Sequence, residues 1–401
     1  MNAQPITIIS NANLLLPEDE TFFGVLILEG NRILEIASEI PGSMLLNEQN
    51  VMVVDAEGHY LSAGLIETHF NGALGCNLNS AGIQDVHQLL LTLPRRGITS
   101  CLLTAISAPQ EDLITTIHVL EEAIHHRVPH ATRILGLHLE GPFIHPDFRG
   151  AHPENGLHAL TMENLQLLLS PNVKLITMAP ELDPEGACIQ YLTERDIRVS
   201  AGHTNATYEE MQDAIEYGVT SVTHIFNAMR PFHHREPGIS TAALNDDDIF
   251  VQVIGDGAHV HPGAVEMVIY SKGIHRTILV SDSYPMAGMP EGAETTFGRQ
   301  RITIQNGQAL NEEGRLVGGN LLLDDCVRNL VDWDACTFSE AVRMATSNPA
   351  EFLGVDDQVG YIEPGYFADL TLWNKDTFAI EATWLNGHQV FGRQPAHPLA
   401  P

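Results

Sequence analysis

Residues 136–152 read GLHLEGPFIHPDFRGAH. A run of apolar, β-compatible residues ends in a carboxylate, Glu140, and the chain then breaks into a Gly-Pro loop carrying two histidines, His145 and His152. A buried strand that delivers a charged side chain at its C-terminal end, just ahead of a polar loop, is how α/β barrels build active sites.

Outward from this stretch the same pattern repeats. From Gly64 onward, candidate strands fall at 65–70, 98–103, 134–140, 173–178, 197–201, 219–224, 251–254 and 277–281. Amphipathic stretches near 84–94, 111–126, 161–169, 185–195, 207–217 and 261–272 lie between them. Eight strands with helical crossovers predict an α/β fold of the (β/α)8 TIM-barrel type over residues 61–355.

Both ends of the chain look all-β. Runs at 6–9, 23–28 and 33–36, with Glu29-Gly30-Asn31 as a hairpin turn, precede a further run at 51–54. Runs at 368–373, 380–385 and 389–391 follow the barrel, with Asn386-Gly387 as a strong hairpin signal. The two ends are expected to pair as one discontinuous small β-sandwich domain, 1–60 with 356–401.

The chain has 401 residues, 44% hydrophobic and 18% charged, with a formal net charge of −31. That acidity argues against nucleic acid or an anionic membrane as partner, because like charge opposes approach. An anionic small substrate would need a local cationic pocket. Five scattered cysteines form no CxxC pair and read as reduced thiols. The opening MNAQPITIIS lacks a basic region followed by a long apolar run, so no signal peptide is expected. No apolar run approaches the roughly 18 residues of a membrane helix. A cytoplasmic protein is expected.

Catalytic groups of such a barrel project from the C-terminal strand ends. Those ends carry His69, Glu140, His203, His224 and Asp282. Alone, His203 or His224 would read as a hydrogen-bonded structural histidine, and Asp282 as a surface cap. Their coincidence at one mouth points elsewhere. One carboxylate and two imidazoles leave an open position on Zn2+ or a similar ion, which a water can occupy. Asp282 could take that water's proton and return it to a leaving group.

The block DAEGHYLSAGLIETHFNG, together with GLHLEGPF, AGHTNAT, THIFNAM, REPG, DGAHVHP, SDSYPMAG and PGYFADLTLW, resembles the amidohydrolase superfamily. Within it, the blocks and their order are similar to those of the N-acetylglucosamine-6-phosphate deacetylases, over essentially the whole chain. The resemblance implies metal-dependent hydrolysis of the acetamide of an N-acetyl amino-sugar 6-phosphate. Glu140, His203 and His224 would hold a divalent metal, and Asp282 would be general base and then acid. Ala151 and His152 would bind substrate, His152 matching the residue that polarises the acetyl carbonyl. Asn227 and Ala228 match contacts to the sugar phosphate, Arg235 and His259 match phosphate binders, and Leu316, Val317 and Gly318 match a pocket-lining loop. The family commonly forms homodimers whose phosphate-binding side chains cross the interface, so Arg235 would serve the neighbouring subunit.

The resemblance has departures. His69 is retained from the usual His-x-His, but Asn71 stands for the second histidine and Glu67 for the usual Asp. One tightly held zinc is expected, with His69 near a weaker second position. Gly318-Gly319-Asn320 replaces a Gly-Ser-Ser type loop. These changes touch the pocket wall, so an N-acetylgalactosamine-6-phosphate deacetylase and, further off, a D-aminoacylase-like enzyme remain alternatives. A pocket-keeping, non-catalytic barrel would lack a catalytic group, and none is missing.

Overall fold

The structure, a computed structural model, describes residues 4–17, 20–42, 51–297, 300–305, 308–314 and 319–392. The N-terminal segment forms β1 (Ile6–Leu15), β2 (Thr21–Glu29), β3 (Arg32–Ala37), β4 (Val51–Asp55) and β5 (Tyr60–Ala63). At Gly64 the chain leaves this sheet and enters the barrel with β6 (Leu65–Glu67), followed by a short hairpin, β7 (Gly72–Ala73) and β8 (Cys76–Asn77). The other barrel strands are β9 (Ile98–Ile106), β10 (Arg133–Glu140), β11 (Val173–Met178), β12 (Arg198–Ala201), β13 (Val219–Val222), β14 (Phe250–Ile254) and β15 (Thr277–Val280).

The eight barrel strands run parallel in the order β15-β14-β13-β12-β11-β10-β9-β6. They are buried almost throughout, as strands covered on both faces must be, and therefore read as near-continuous apolar runs. No ladder joins β15 to β6. The seam is closed by loop backbone: Asn71 N–H donates to Ser283 O (2.8 Å) and Asp282 N–H to His69 O (3.0 Å). The Glu67 carboxylate completes it, accepting from Ser281 N–H at 3.3 Å and His69 N–H at 3.1 Å. The fold is a (β/α)8 barrel with a small β-sandwich built from the two ends of the chain.

Helices Ile83–Thr92, Gln110–His125, Met162–Leu168, Ala187–Thr193, Tyr208–Tyr217 and Pro262–Lys272 match the six expected amphipathic stretches to within a few residues. The helix Gly238–Asn245, GISTAALN, was not expected because it has no charged face to mark it. Beyond β15 the chain adds an antiparallel sheet, β16 (Glu294–Phe297), β17 (Gln300–Gln305) and β18 (Gln308–Asn311). Helices Leu323–Asp332, Phe338–Met344 and Ser347–Leu353 follow.

The small sheet ends with β19 (Leu370–Trp373), β20 (Ile380–Leu385) and β21 (His388–Gly392), in the order β21-β20-β19-β5-β1-β2-β3, with β4 also on β1. Residues 61–63 fall within the span expected for the barrel, but the antiparallel register of β5 with β19, Leu370 opposite Ala63, puts them in the small sheet. The core of that sheet holds Ile9, Leu14, Leu26, Leu61, Leu370 and Trp384. Phe367 fastens it to the barrel: its ring lies between the guanidiniums of Arg32 (3.6 Å) and Arg133 (4.0 Å), and Arg133 also pairs with Asp369. Among the described residues, no helix is long and apolar enough to cross a membrane.

Candidate active site

Glu140 closes β10, while His203 and His224 stand two residues past β12 and β13. His203, His224 and Asp282 all have left-handed backbone, with φ of 52°, 31° and 45°. Each such residue costs on the order of 1–3 kcal/mol and persists only where its surroundings enforce it, which is why such residues gather at functional sites.

The three side chains converge. His203 Nε2 is 3.1 Å and His224 Nε2 3.2 Å from Glu140 Oε1, and the two nitrogens are 3.1 Å apart. His203 Nδ1 lies 2.9 Å from Phe148 O, a pure acceptor, so Nδ1 carries the proton and Nε2 turns a lone pair toward the carboxylate. Lone pairs facing one another repel, and a divalent cation resolves the conflict. The spacing fits one, since ligand atoms about 2.0–2.1 Å from a tetrahedral zinc lie about 3.3 Å apart. All three residues are buried, and their ligand-type atoms form one compact group.

The other oxygen of Glu140 faces the seam. His69 Nε2 is 3.2 Å from Glu140 Oε2 and 3.5 Å from Asp282 Oδ1. Asn71 Nδ2 donates to Asp282 Oδ1 at 2.9 Å. Burial opposes a charge on His69, yet the carboxylates of Glu140 and Asp282 outweigh it and hold the imidazole up at about 9. Burial would likewise raise Glu140, but the charge of His69 holds it well below the usual carboxylate range. Glu67, wholly buried, is pushed up to about 7 by burial, against the hydrogen bonds it accepts from Ser281 and His69.

His152 reaches the cluster from the loop after β10, with Nε2 3.7 Å from Glu140 Oε1. Burial pushes its pKa down, so it is neutral. Ser107 N–H donates to its Nδ1 at 3.3 Å and the Ser107 hydroxyl lies 2.8 Å from the same atom. Nδ1 is then the acceptor and Nε2 bears the proton, which places an N–H donor beside the reactive centre, where it suits an oxyanion.

The remaining expected residues spread outward. Asn227 Nδ2 donates to His224 O at 3.2 Å, and Ala228 O accepts from Thr204 N–H, so both shape the loop that carries His224. Half-buried His259 has Nδ1 2.7 Å from Asp256 Oδ2. Ala151 is exposed on the His152 loop. Arg235 is not at the cluster: it is exposed, with Nη1 donating to His234 Nε2 at 2.8 Å. Leu316, Val317 and Gly318 lie outside the described residues.

Residues that the strand-end reading passes over also touch the site. Ser107 follows a strand that runs to Ile106, three residues past its expected end at 103, and so reaches the mouth. Asn71, which stands where the resemblance places a second histidine, touches the site through Asp282. Gly319 bonds backbone to backbone with Asp282 and Tyr284, and a Cβ there would meet Ser281 O at 2.5 Å, so only glycine fits behind the Asp282 turn.

The model of the amidohydrolase family matches residues 60–390. An N-acetylglucosamine-6-phosphate deacetylase of Vibrio furnissii is 33% identical over 334 residues, 82% of this chain and 83% of that protein. An N-acetylgalactosamine-6-phosphate deacetylase of Escherichia coli O157:H7 is 31% identical, over 84% of this chain and 89% of that one. The crystal structure of the Pasteurella multocida N-acetylglucosamine-6-phosphate deacetylase superposes with a TM-score of 0.86 at 29% identity, covering 96% of this chain and 99% of that one. On this evidence the chain belongs to the amidohydrolase family, among its amino-sugar-phosphate deacetylases.

Proposed function

We propose that the chain hydrolyses the acetamide of N-acetyl-D-glucosamine 6-phosphate, giving D-glucosamine 6-phosphate and acetate. The observation that carries this reading is the meeting of Glu140, His203 and His224 within about a hydrogen-bond length, with Asp282 across the same carboxylate. Two imidazoles and one carboxylate suit Zn2+, and Glu140, His203 and His224 would hold it. When bound, such an ion polarises an amide carbonyl and brings the pKa of a water toward about 7.

The protein's own groups do the rest. Asp282 accepts the proton of the attacking water and returns it to the departing amine. Asn71 occupies its Oδ1, leaving Oδ2 for that exchange. His152 offers its Nε2 proton to the oxyanion that forms from the carbonyl. By the family resemblance, Asn227 and Ala228 serve as sugar contacts, and His259 and Arg235 take the phosphate. Because Arg235 stands exposed and away from its own cluster, we infer a homodimer in which it completes the neighbour's site. Five free thiols fit a reducing cytoplasm.

The Escherichia coli relative named for the galactosamine epimer supports a second substrate reading. Acetate release from the two N-acetylhexosamine 6-phosphates by zinc-loaded protein separates them, and turnover of neither would overturn the proposal. Arg235→Ala is expected to lower kcat/KM by about 30-fold, the equivalent of roughly 2 kcal/mol for a lost charge-assisted contact. Mixing this variant with a catalytically dead one should restore activity if the arginine acts across an interface.

A further inference from the structure

Beneath the metal-ligand cluster, a line of buried polar side chains crosses the barrel interior. Thr104 on β9, His138 on β10, Thr177 on β11, Ser200 on β12 and Thr223 just past β13 are all fully buried. Phe70 N–H donates to Thr104 Oγ1 at 3.2 Å, and Thr104 Oγ1 lies 3.3 Å from His138 Nδ1. His138 Nε2 is 2.8 Å from Thr177 Oγ1, which is 2.8 Å from Thr223 Oγ1, and Thr223 donates to Ser200 Oγ at 2.6 Å.

The chain of bonds has one direction. A peptide N–H can only donate, so Thr104 accepts from Phe70 and passes its own proton to His138 Nδ1. Thr223 gives its proton to Ser200, so it accepts from Thr177, and Thr177 accepts from His138 Nε2–H. The protons of Thr104, Thr177 and Thr223 are then assigned, and His138 is fixed as the neutral Nε2–H tautomer. A buried run of hydrogen bonds that link successive strands makes its surroundings rigid.

The members flank the cluster. Phe70 follows His69, His138 precedes Glu140 by two residues on the same face of the strand, Ser200 precedes His203 by three, and Thr223 precedes His224. The His138 ring also packs edge-on against His69, with centroids 4.7 Å apart. Gly202 leaves room for the crossing, since a Cβ there would lie 2.8 Å from Thr223 Cβ and 2.9 Å from Thr177 Cγ2.

We propose that this belt of six residues from Phe70 to Ser200, centred on His138, sets the spacing of Glu140, His203 and His224, so that His138, Thr177 and Thr223 are positioning residues of the metal site. The inference rests on the reading of those three side chains as metal ligands. None of the belt residues is one of those three ligands; they act by holding the strand ends that carry them.

The test uses His138→Phe and Thr177→Val in the full-length protein, with Zn2+ affinity measured by chelator competition and ligand geometry by the visible absorption of the Co2+-loaded protein. Both variants are expected to bind Zn2+ at least about tenfold more weakly, with a shifted Co2+ spectrum and a kcat that falls while KM stays. Thr177→Ser, which keeps the hydroxyl, should restore all three. If His138→Phe fails to fold, Thr177→Val, of the same shape as threonine, decides alone. Wild-type affinity and spectrum in Thr177→Val, even with a lowered Tm, would mean the belt is only structural. A wild-type protein that takes up no Zn2+ would instead overturn the ligand reading, and the belt's role with it.

Discussion

The two oxygens of Glu140 face unlike neighbours. On the Oε1 side stand His203 and His224, imidazoles brought by strands of an unbroken ladder, with nitrogens that converge on the oxygen and on each other. On the Oε2 side, where the barrel is closed by loops, His69 bridges two carboxylates and Asn71 gives an N–H to one of them. The first side has lone pairs in excess and needs a cation. The second supplies its own positive charge and donors. Burial at both sides raises the cost of any unpaired group, so this difference decides where an ion settles.

The strongest way to break the comparison is to remove one group from each side. Asp282→Asn keeps the size of the side chain and its contact with Asn71 but cannot accept the water's proton. It should lose about 10^2 to 10^4 in kcat while elemental analysis still finds one zinc per chain. His224→Ala should lose at least as much rate together with the zinc. Metal loss in the first variant, or metal retention in the second, would mean that the two sides have been assigned the wrong way round.

Asn71→His sharpens the same contrast without removing a group. It replaces a donor that satisfies Asp282 with a second imidazole beside His69. Zinc content should rise from one to two per chain on titration, a change of stoichiometry with a smaller effect on rate than loss of Asp282. Two tightly bound ions in the unaltered protein would show that His69 and Asn71 do not fill the second position.

Much of this was legible because barrel strands end in chemistry. Glu140, His203, His224 and Asp282 each stand at or just past the end of a β-rich run, and reading the ends marks the four side chains that the structure brings to one mouth. The seam was not legible: Asn71 and Asp282 are 211 residues apart and meet through side-chain and loop bonds rather than a ladder, for which periodicity has no signature. His138 lies two residues before Glu140 in an otherwise apolar run, and only cross-barrel distances reveal its partners. The helix Gly238–Asn245 lacks a charged face, so amphipathicity did not mark it. By contrast β17 alternates polar residues with the buried Ile302 and Ile304, a signal that counting barrel strands alone does not use.

His259 extends the comparison to the substrate's far end, with the smallest expected effect. Burial alone would lower its pKa, but the hydrogen bond and charge of Asp256, with the more distant charge of Asp282, raise it above the ordinary histidine value. An imidazole in the unfolded chain titrates near about 6.5. The folded state therefore binds this proton more tightly, and the stabilisation is full below that pH and lost as pH rises through the higher folded value. On the proposed reading the same cation meets the phosphate, so KM for the sugar phosphate should rise over that interval by roughly tenfold or less, with kcat following Asp282 and the metal site instead. Asp256→Asn removes the largest favourable influence on the imidazolium and should move the KM step to lower pH, whereas His259→Gln should abolish it. A step that stays in place in Asp256→Asn would assign the titration to the phosphate or to another group, and the cationic end of the pocket would then rest on Arg235.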